Sequence, residues 1–330
     1  MLTLAQFGAG RIGSIHAANI AAMPGVKLRY VVDVNAAAAK KLAAAHGAKV
    51  STEKEVFADR EVDAVVIASS TDTHARLAIA AAKAGKAIFC EKPIDLDLKK
   101  VDACLREVRK SKVPMFVGFN RRFDPSFAAL KARVDKGELG NVEQVVITSR
   151  DPGPPPLAYL KVSGGLFRDM TIHDFDMARW LLGEEPVEVF AWGAVLVDPR
   201  VKTEANDIDT AMVMLRTKSG RMGTIVNSRR AVYGYDQRIE AFGEKGMLRA
   251  ENLAPTTVER FGGDATSADN PWPNFQTRYT AAYAAELTSF IQSVERKKPA
   301  EIPPEDSRRV LLLCEAAAKS SQTGQPVRVK

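Results

Sequence analysis

The chain has 330 residues, 46% of them hydrophobic, enough to bury two cores without a metal or a disulfide. Its net charge of +7 arises from 47 lysines and arginines dispersed among 40 acids with no dense basic block, which argues against nucleic acid as a partner and leaves a mild bias toward anionic ligands. The cysteines Cys90, Cys104 and Cys314 lie far apart without zinc-site spacing and suit a reducing cytoplasm, and no segment reads as a membrane span or secretory leader.

The first apolar run, Leu2 to Phe7, leads directly into Gly8-x-Gly10-x-x-Gly13 and a helical pattern through Ile15, Ala18, Ile20 and Met23 that Pro24-Gly25 ends. In a strand–turn–helix, the first glycine allows the tight turn, the second lets backbone approach a pyrophosphate, and the third lets helix pack on strand. Gly8, Gly10, Arg11, Ile12 and Gly13 are therefore candidate phosphate contacts at a helix N-terminus. The next strand, Lys27 to Val32, ends at Asp33, twenty residues past Gly13, where an acid accepts the adenosine ribose hydroxyls. The competing role for Asp33 is N-cap of the Ala-rich helix that follows. No arginine stands beside Val34 and Asn35 to receive a 2′-phosphate, so NAD is expected over NADP, with Lys40 and Lys41 the nearest cations.

Asp63 to Ala68 reads as a buried parallel strand. It ends in small polar residues at the sheet's carboxyl edge, where open α/β sheets bind ligands, so Ser69, Thr71 and His74 join the candidate cofactor contacts. A helix to Ala84 and a strand Ala87 to Cys90 deliver Glu91-Lys92-Pro93 to the same edge. Glu91 is a candidate cofactor contact and Lys92 a candidate for the reacting end; a surface ion pair between the two is the plainer alternative. A helix Leu98 to Lys110 and a strand Met115 to Gly118 complete six strands, a doubly wound Rossmann domain over residues 1–120.

Beyond it, a helix to about Lys136 gives way to strands at Val142–Thr148, Val187–Leu196, Thr210–Leu215, Gly223–Asn227 and Gln237–Phe242, with helices returning near Tyr279–Val294 and Glu305–Ser320. Successive strands without helices between them imply a large, mainly antiparallel sheet. Residues 121–330 are thus expected to form an α+β domain for substrate binding and oligomerisation, in a chain that is α/β overall. After Gly164-Gly165 comes Asp169-x-x-x-His173, placed on one expected helix to Trp180. Four apart, the two side chains share a face, and Asp176 follows three residues on. A carboxylate beside an imidazole readies a histidine to accept a proton near neutral pH. A buried histidine merely satisfied by an acid, or a metal site of Asp169, His173 and Asp176, would use the same residues. The complete nucleotide domain weighs against the metal, and none is expected.

Together the glycine fingerprint, Glu91-Lys92-Pro93, Gly164-Gly165 and Asp169-x-x-x-His173 resemble the family of glucose–fructose oxidoreductase, inositol dehydrogenase and their relatives, over nearly the whole chain. Val117–Pro125, Thr148–Pro156 and Asp169–Arg179 are similar to the inositol 2-dehydrogenase subgroup. The resemblance implies NAD-dependent oxidation of myo-inositol to the 2-keto inosose and a catalytic trio of Lys92, Asp169 and His173. It also implies polyol contacts at Asp151, Asp176 and Tyr235, a cleft lined by Asn120 and Arg122, and a homotetramer assembled through the open sheet face. An imidazole titrating near about 6.5 suits the base, whereas a lysine near about 10.4 needs a large downward shift. That makes His173 the expected base, Asp169 its orienting partner and Lys92 the donor to the developing alkoxide, with a lysine base as the alternative. An aldose dehydrogenase on the same scaffold and a non-catalytic NAD-binding sugar sensor are the rival functions.

Overall fold

The computed structural model describes residues 1–330, which divide into two compact units, each made of two chain segments. The first unit comprises Met1–Phe123 and Ala281–Leu311; the second comprises Asp124–Thr280 and Leu312–Lys330. The division expected at 120/121 from sequence puts residues 281–311 with the second domain, whereas their contacts place them with the first.

In the first unit β1 (Leu2–Phe7), α1 (Arg11–Ala22), β2 (Val26–Val32), α2 (Ala36–Ala45), β3 (Lys49–Val50), α3 (Glu53–Ala58), β4 (Ala64–Ile67), α4 (Thr71–Lys83), β5 (Ala87–Glu91), α5 (Leu98–Ser111) and β6 (Met115–Gly118) alternate. The six strands pair in parallel in the order β3-β2-β1-β4-β5-β6. Every residue of β4, β5 and β6 is buried, which is why these strands read as unbroken apolar runs. The order reverses between β1 and β4, so the carboxyl ends of these strands form the crevice where such sheets take ligands.

The second unit begins with α6 (Pro125–Asp135), entered through Asp124, whose carboxylate accepts the N–H groups of Ser126 and Phe127 while also gripping the buried Arg278. Next come β7 (Val142–Arg150), α7 (Leu157–Leu160), α8 (Leu166–Asp169), α9 (Thr171–Leu182), β8 (Pro186–Ala194), α10 (Pro199–Ala205), β9 (Thr210–Thr217), β10 (Met222–Ser228), β11 (Asp236–Gly243) and β12 (Gly246–Ala250). A small hairpin, β13 (Glu259–Phe261) with β14 (Thr266–Ala268), and α11 (Phe275–Arg278) follow; α12 (Thr280–Glu295) then belongs to the first unit from Ala281 on, α13 (Glu305–Thr323) is divided between the units after Leu311, and β15 (Val327–Arg328) is again in the second. The seven-stranded sheet runs β12-β11-β7-β10-β9-β8-β15 and is antiparallel except for the central pair β7 and β10.

Helix α9 covers one face of this sheet, over β7 and β10. The opposite face is open: Trp192, Met212 and Met214 stand 62%, 53% and 55% exposed, with Val146, Met222, Phe242 and Met247 also exposed. The helix expected to run from Asp169 to Trp180 is two pieces. The helical hydrogen bonding breaks at Met170, which caps both α8 and α9, so Asp169 and His173 sit on successive helices.

Candidate active site

At the crevice of the first unit, Gly8 has φ +103°, and a Cβ built there would meet the carbonyl oxygen of Ala68 at 2.3 Å. Gly13 approaches Gly8 so closely that a Cβ would lie 2.3 Å from the Gly8 oxygen. The space beside Gly10 is open, with nothing within 4 Å of a Cβ. Sequence reasoning missed the residue that ties this loop together. Gln6, fully buried in β1, donates its Nε2 to the carbonyls of Gly8 and Gly13, both at 2.8 Å. The signal was a polar residue inside an otherwise apolar strand.

No side chain caps α1, so its first N–H groups are not taken by a local cap. Arg11 is exposed and Ile12 half-buried on that first turn. Asp33 is half-buried, with Oδ2 accepting Ala9 N–H at 2.6 Å and Oδ1 accepting Asn35 N–H at 2.7 Å. The cap of α2 is Asn35, which accepts Ala37 and Ala38 N–H, so Asp33 is not the N-cap. Two backbone donors hold its carboxylate at the end of β2, across from the glycine loop. Open space at Gly10, an uncapped helix start and a fixed acid at the second strand end together fit a dinucleotide.

Ser69 and Thr71 follow β4, and Ser69 Oγ lies 2.6 Å from Thr73 Oγ1. His74 is buried, with Nδ1 2.8 Å from the Pro93 carbonyl and Nε2 3.1 Å from the Ser69 carbonyl, so it braces two loops of this edge. The Lys92–Pro93 peptide is cis and Lys92 is half-buried. Glu91 turns to His16, its Oε1 2.7 Å from Nε2. Asn120, in a 3₁₀ turn just past β6, is 3% exposed, and its Nδ2 has no hydrogen-bond partner in the protein. Arg122 Nη2 pairs with Asp306 Oδ2 at 2.8 Å.

In the second unit the candidate residues extend a polar row at one end of the sheet. Asn227, Ser149 and Gln237 lie side by side across β10, β7 and β11; Asn227 Nδ2 donates to the Ser149 carbonyl and Ser149 Oγ to Gln237 Oε1. Two residues further along the same inward face come Arg229, Asp151 and Tyr235. Arg229 is 1% exposed; its Nη2 donates to Asp169 Oδ2 at 2.9 Å and its Nη1 lies 3.7 Å from Asp151 Oδ2. Tyr159 OH donates to Asp169 Oδ1 at 2.7 Å. Asp207 accepts the Leu166 N–H; burial first, and the Asp169 charge, push its carboxyl up against the pull of Arg229. Tyr235 is buried edge-on against Tyr279.

Helix α9 is moored beside this row: Thr171 Oγ1 donates to Asn227 Oδ1 at 2.6 Å and Asn227 Nδ2 to Asp174 Oδ2 at 2.8 Å. His173 is half-buried in the first turn of α9. Asp176, 1% exposed, lies 3.8 Å from Arg179 Nη1, and Arg179 is in turn bound to Glu185. The structure thus joins Asp151 to Asp169 through Arg229 and sets Asp176 one turn beyond His173, beside Arg179. Arg229 and Tyr159 were not foreseen. The alternation of buried residues Gly223, Ile225 and Asn227 points inward again at Arg229 and outward at Arg230, a signal available from strand period alone.

A six-stranded nucleotide sheet with a dinucleotide cradle, followed by a second unit carrying an acid–histidine constellation, defines a nucleotide-dependent oxidoreductase. Residues 2–119 match the oxidoreductase family with an NAD-binding Rossmann fold, and residues 127–249 match the GFO/IDH/MocA C-terminal domain. The chain belongs to the GFO/IDH/MocA family, and its cofactor is NAD. It is 52% identical over 315 residues to an inositol 2-dehydrogenase of Rhizobium meliloti, covering 95% of this chain and 94% of the relative. Among solved structures it resembles a myo-inositol dehydrogenase from Corynebacterium glutamicum (47% identity, TM-score 0.96, 100% and 99% of the two chains). It also resembles scyllo-inositol dehydrogenase from Lactobacillus casei with bound NAD(H) and scyllo-inositol (28% identity, TM-score 0.92, 100% and 99% of the two chains).

Proposed function

We propose that the protein oxidises a ring hydroxyl of an inositol, myo-inositol first, to the corresponding 2-keto inosose. The full-length likeness to inositol 2-dehydrogenases carries this reading, and the presence of Lys92, Asp169 and His173 supports it. When bound, NAD⁺ supplies the hydride acceptor. His173 takes the hydroxyl proton. Asp169, itself held by Arg229 and Tyr159, orients that imidazole and steadies the imidazolium. Lys92 donates to the reacting oxygen as alkoxide charge develops. Asp151, Asp176, Tyr235, Asn120 and Arg122 contact the remaining hydroxyls. Carboxylates suit a neutral polyol, because an analogue that lacks one hydroxyl leaves a buried acceptor unpaired.

We further infer that the second unit's open apolar face packs against another copy of the chain in a tetramer, since Trp192, Met212 and Met214 stand exposed side by side on the paired strands β8 and β9. The three buried thiols suit a reducing cytoplasm. NADH absorbance with a panel of myo-inositol, scyllo-inositol, glucose and xylose, each with NAD⁺ and NADP⁺ and with a chelator present, tests the reading. The highest kcat/KM is expected with myo-inositol and NAD⁺. Oxidation of an aldose but of no inositol would overturn the substrate class, and no oxidation at all would favour a sensor.

A further inference from the structure

Next to Lys92 in the chain, inside the first unit, lies a cluster that the proposed chemistry leaves unused. His16 from α1, Glu91 at the end of β5 and Glu286 from α12 bring one imidazole and two carboxylates within 4.8 Å of one another. His16 and Glu286 are both 0% exposed. Glu91 takes the His16 Nε2 at 2.7 Å, yet neither oxygen of Glu286 has a hydrogen-bond partner. The walls are aromatic: Phe89 and Tyr283 stand edge-on to the His16 ring, and Phe290 edge-on to Phe89. On the far side Gly118 makes room, since a Cβ there would lie 3.2 Å from the Glu91 carboxyl.

Two ionised carboxylates cannot share such a site, because its low polarity penalises each charge and magnifies their repulsion. His16 already serves Glu91. Burial first, then the Glu91 charge, push the Glu286 carboxyl well above the usual range. We propose that Glu286 is a neutral carboxylic acid whose O–H turns to the Glu91 carboxylate, making it a positioning residue for Lys92. The two donors, His16 and Glu286, then hold the side chain of the residue that precedes Lys92, and with it the direction in which β5 delivers the lysine. This role rests on the function of Lys92 given above; the protonation state does not.

The test compares the full-length wild type with Glu286→Gln and Glu286→Leu. In the wild type at neutral pH, infrared difference spectroscopy is expected to show the C=O stretch of a protonated carboxylic acid, absent from Glu286→Gln. The amide of Glu286→Gln keeps a neutral donor and is expected to keep turnover. Glu286→Leu is expected to lower kcat at least about tenfold while leaving KM for NAD⁺ and the melting temperature nearly unchanged, since apolar volume replaces a buried acid. A merely structural role predicts the reverse for leucine, a fallen melting temperature with normal rate. The proposal is overturned by that result, by a wild type lacking the acid band, or by Glu286→Gln as impaired as Glu286→Leu. One zinc or manganese per chain by elemental analysis, lost in Glu286→Gln, would likewise overturn it in favour of a metal site. If the wild type oxidises no inositol, the proposed function fails while the infrared band still decides the state of Glu286.

Discussion

Replacing Gly13 and Gly10 separately by alanine divides the glycine loop into a packing part and a binding part. At Gly13 the new methyl would lie 2.3 Å from the Gly8 oxygen, 2.9 Å from the Gly8 carbonyl carbon and 3.0 Å from Gln6 Nε2. Two of those neighbours are backbone, and the third is the amide that ties the loop, so nothing flexible can give way. Overpacking of this kind costs up to about 3 kcal/mol, offset by about 1 kcal/mol for alanine over glycine inside a helix, a net loss of about 2 kcal/mol. In a protein of 330 residues, with an unfolding entropy of about 2.1 cal/mol/K per residue, that lowers the melting temperature by about 3 °C. At Gly10 the methyl meets nothing within 4 Å and φ is −78°, so Gly10→Ala is expected to melt like the wild type. Its methyl occupies the space through which backbone approaches a pyrophosphate, and loss of that approach weakens NADH binding by about 1.4 kcal/mol or more, at least tenfold. Thermal unfolding of the cofactor-free protein and NADH fluorescence titration measure the two effects on the same preparations. A Gly10→Ala protein that melts as low as Gly13→Ala, or that binds NADH like the wild type, would refute the division.

Asp33→Ala is expected to weaken NAD⁺ binding and narrow the preference over NADP⁺, read as the ratio of the two kcat/KM values; a wild type equally efficient with NADP⁺ contradicts the assignment. His173→Asn is expected to keep fold and NADH binding while losing most turnover, and a destabilised but active variant would make this histidine structural. Arg229→Met breaks a buried ion pair and removes the guanidinium that holds Asp169 Oδ2, at a cost of about 3 kcal/mol or more in urea unfolding, with turnover reduced as well. Burial alone would raise the Asp209 carboxyl, but the N–H groups of Leu196, Asp198 and Val197 and the Thr210 hydroxyl outweigh it and hold the carboxyl below its ordinary value. Its stabilisation is therefore complete above the unfolded pKa of about 3.9 and is lost as pH falls through the lower folded value. Asp209→Asn is expected to be less stable than the wild type at neutral pH, with the gap closing below about pH 4; a gap independent of pH would contradict this.

The first unit was legible because its rules are local. Unbroken apolar runs marked β4, β5 and β6, and the spacing from Gly13 to Asp33 located the acid at the end of β2. What sequence left open was which neighbour each polar group chooses. The cap expected as the competing role for Asp33 goes instead to Asn35, while the backbone at Ala9 claims the Asp33 carboxylate. Glu91 is met by His16, which is distant in sequence and which the adjacency of Glu91 and Lys92 gave no sign of. The same limit hid Arg229 and Tyr159 behind Asp169, since each meets it only after β10 and α7 have folded onto α8. The break at Met170 was invisible for another reason: neither glycine nor proline marks it, and the backbone there stays in the right-handed helical region.

The chain enters the first unit at its N-terminus, leaves it after Phe123 and returns with Ala281–Leu311. During synthesis the six parallel strands therefore emerge long before the helix that carries Glu286 and Phe290 to His16, Glu91 and Phe89. Until that helix arrives, the aromatic face of β5 and the carboxylate beside Lys92 lack one wall. The nucleotide domain is thus not a module that matures on the ribosome from its N-terminal segment alone. Its last wall is written in Ala281–Leu311, after the whole of Asp124–Thr280, so an early stop or a nick between the two segments would strand a sheet that has every strand it needs and still an uncovered core.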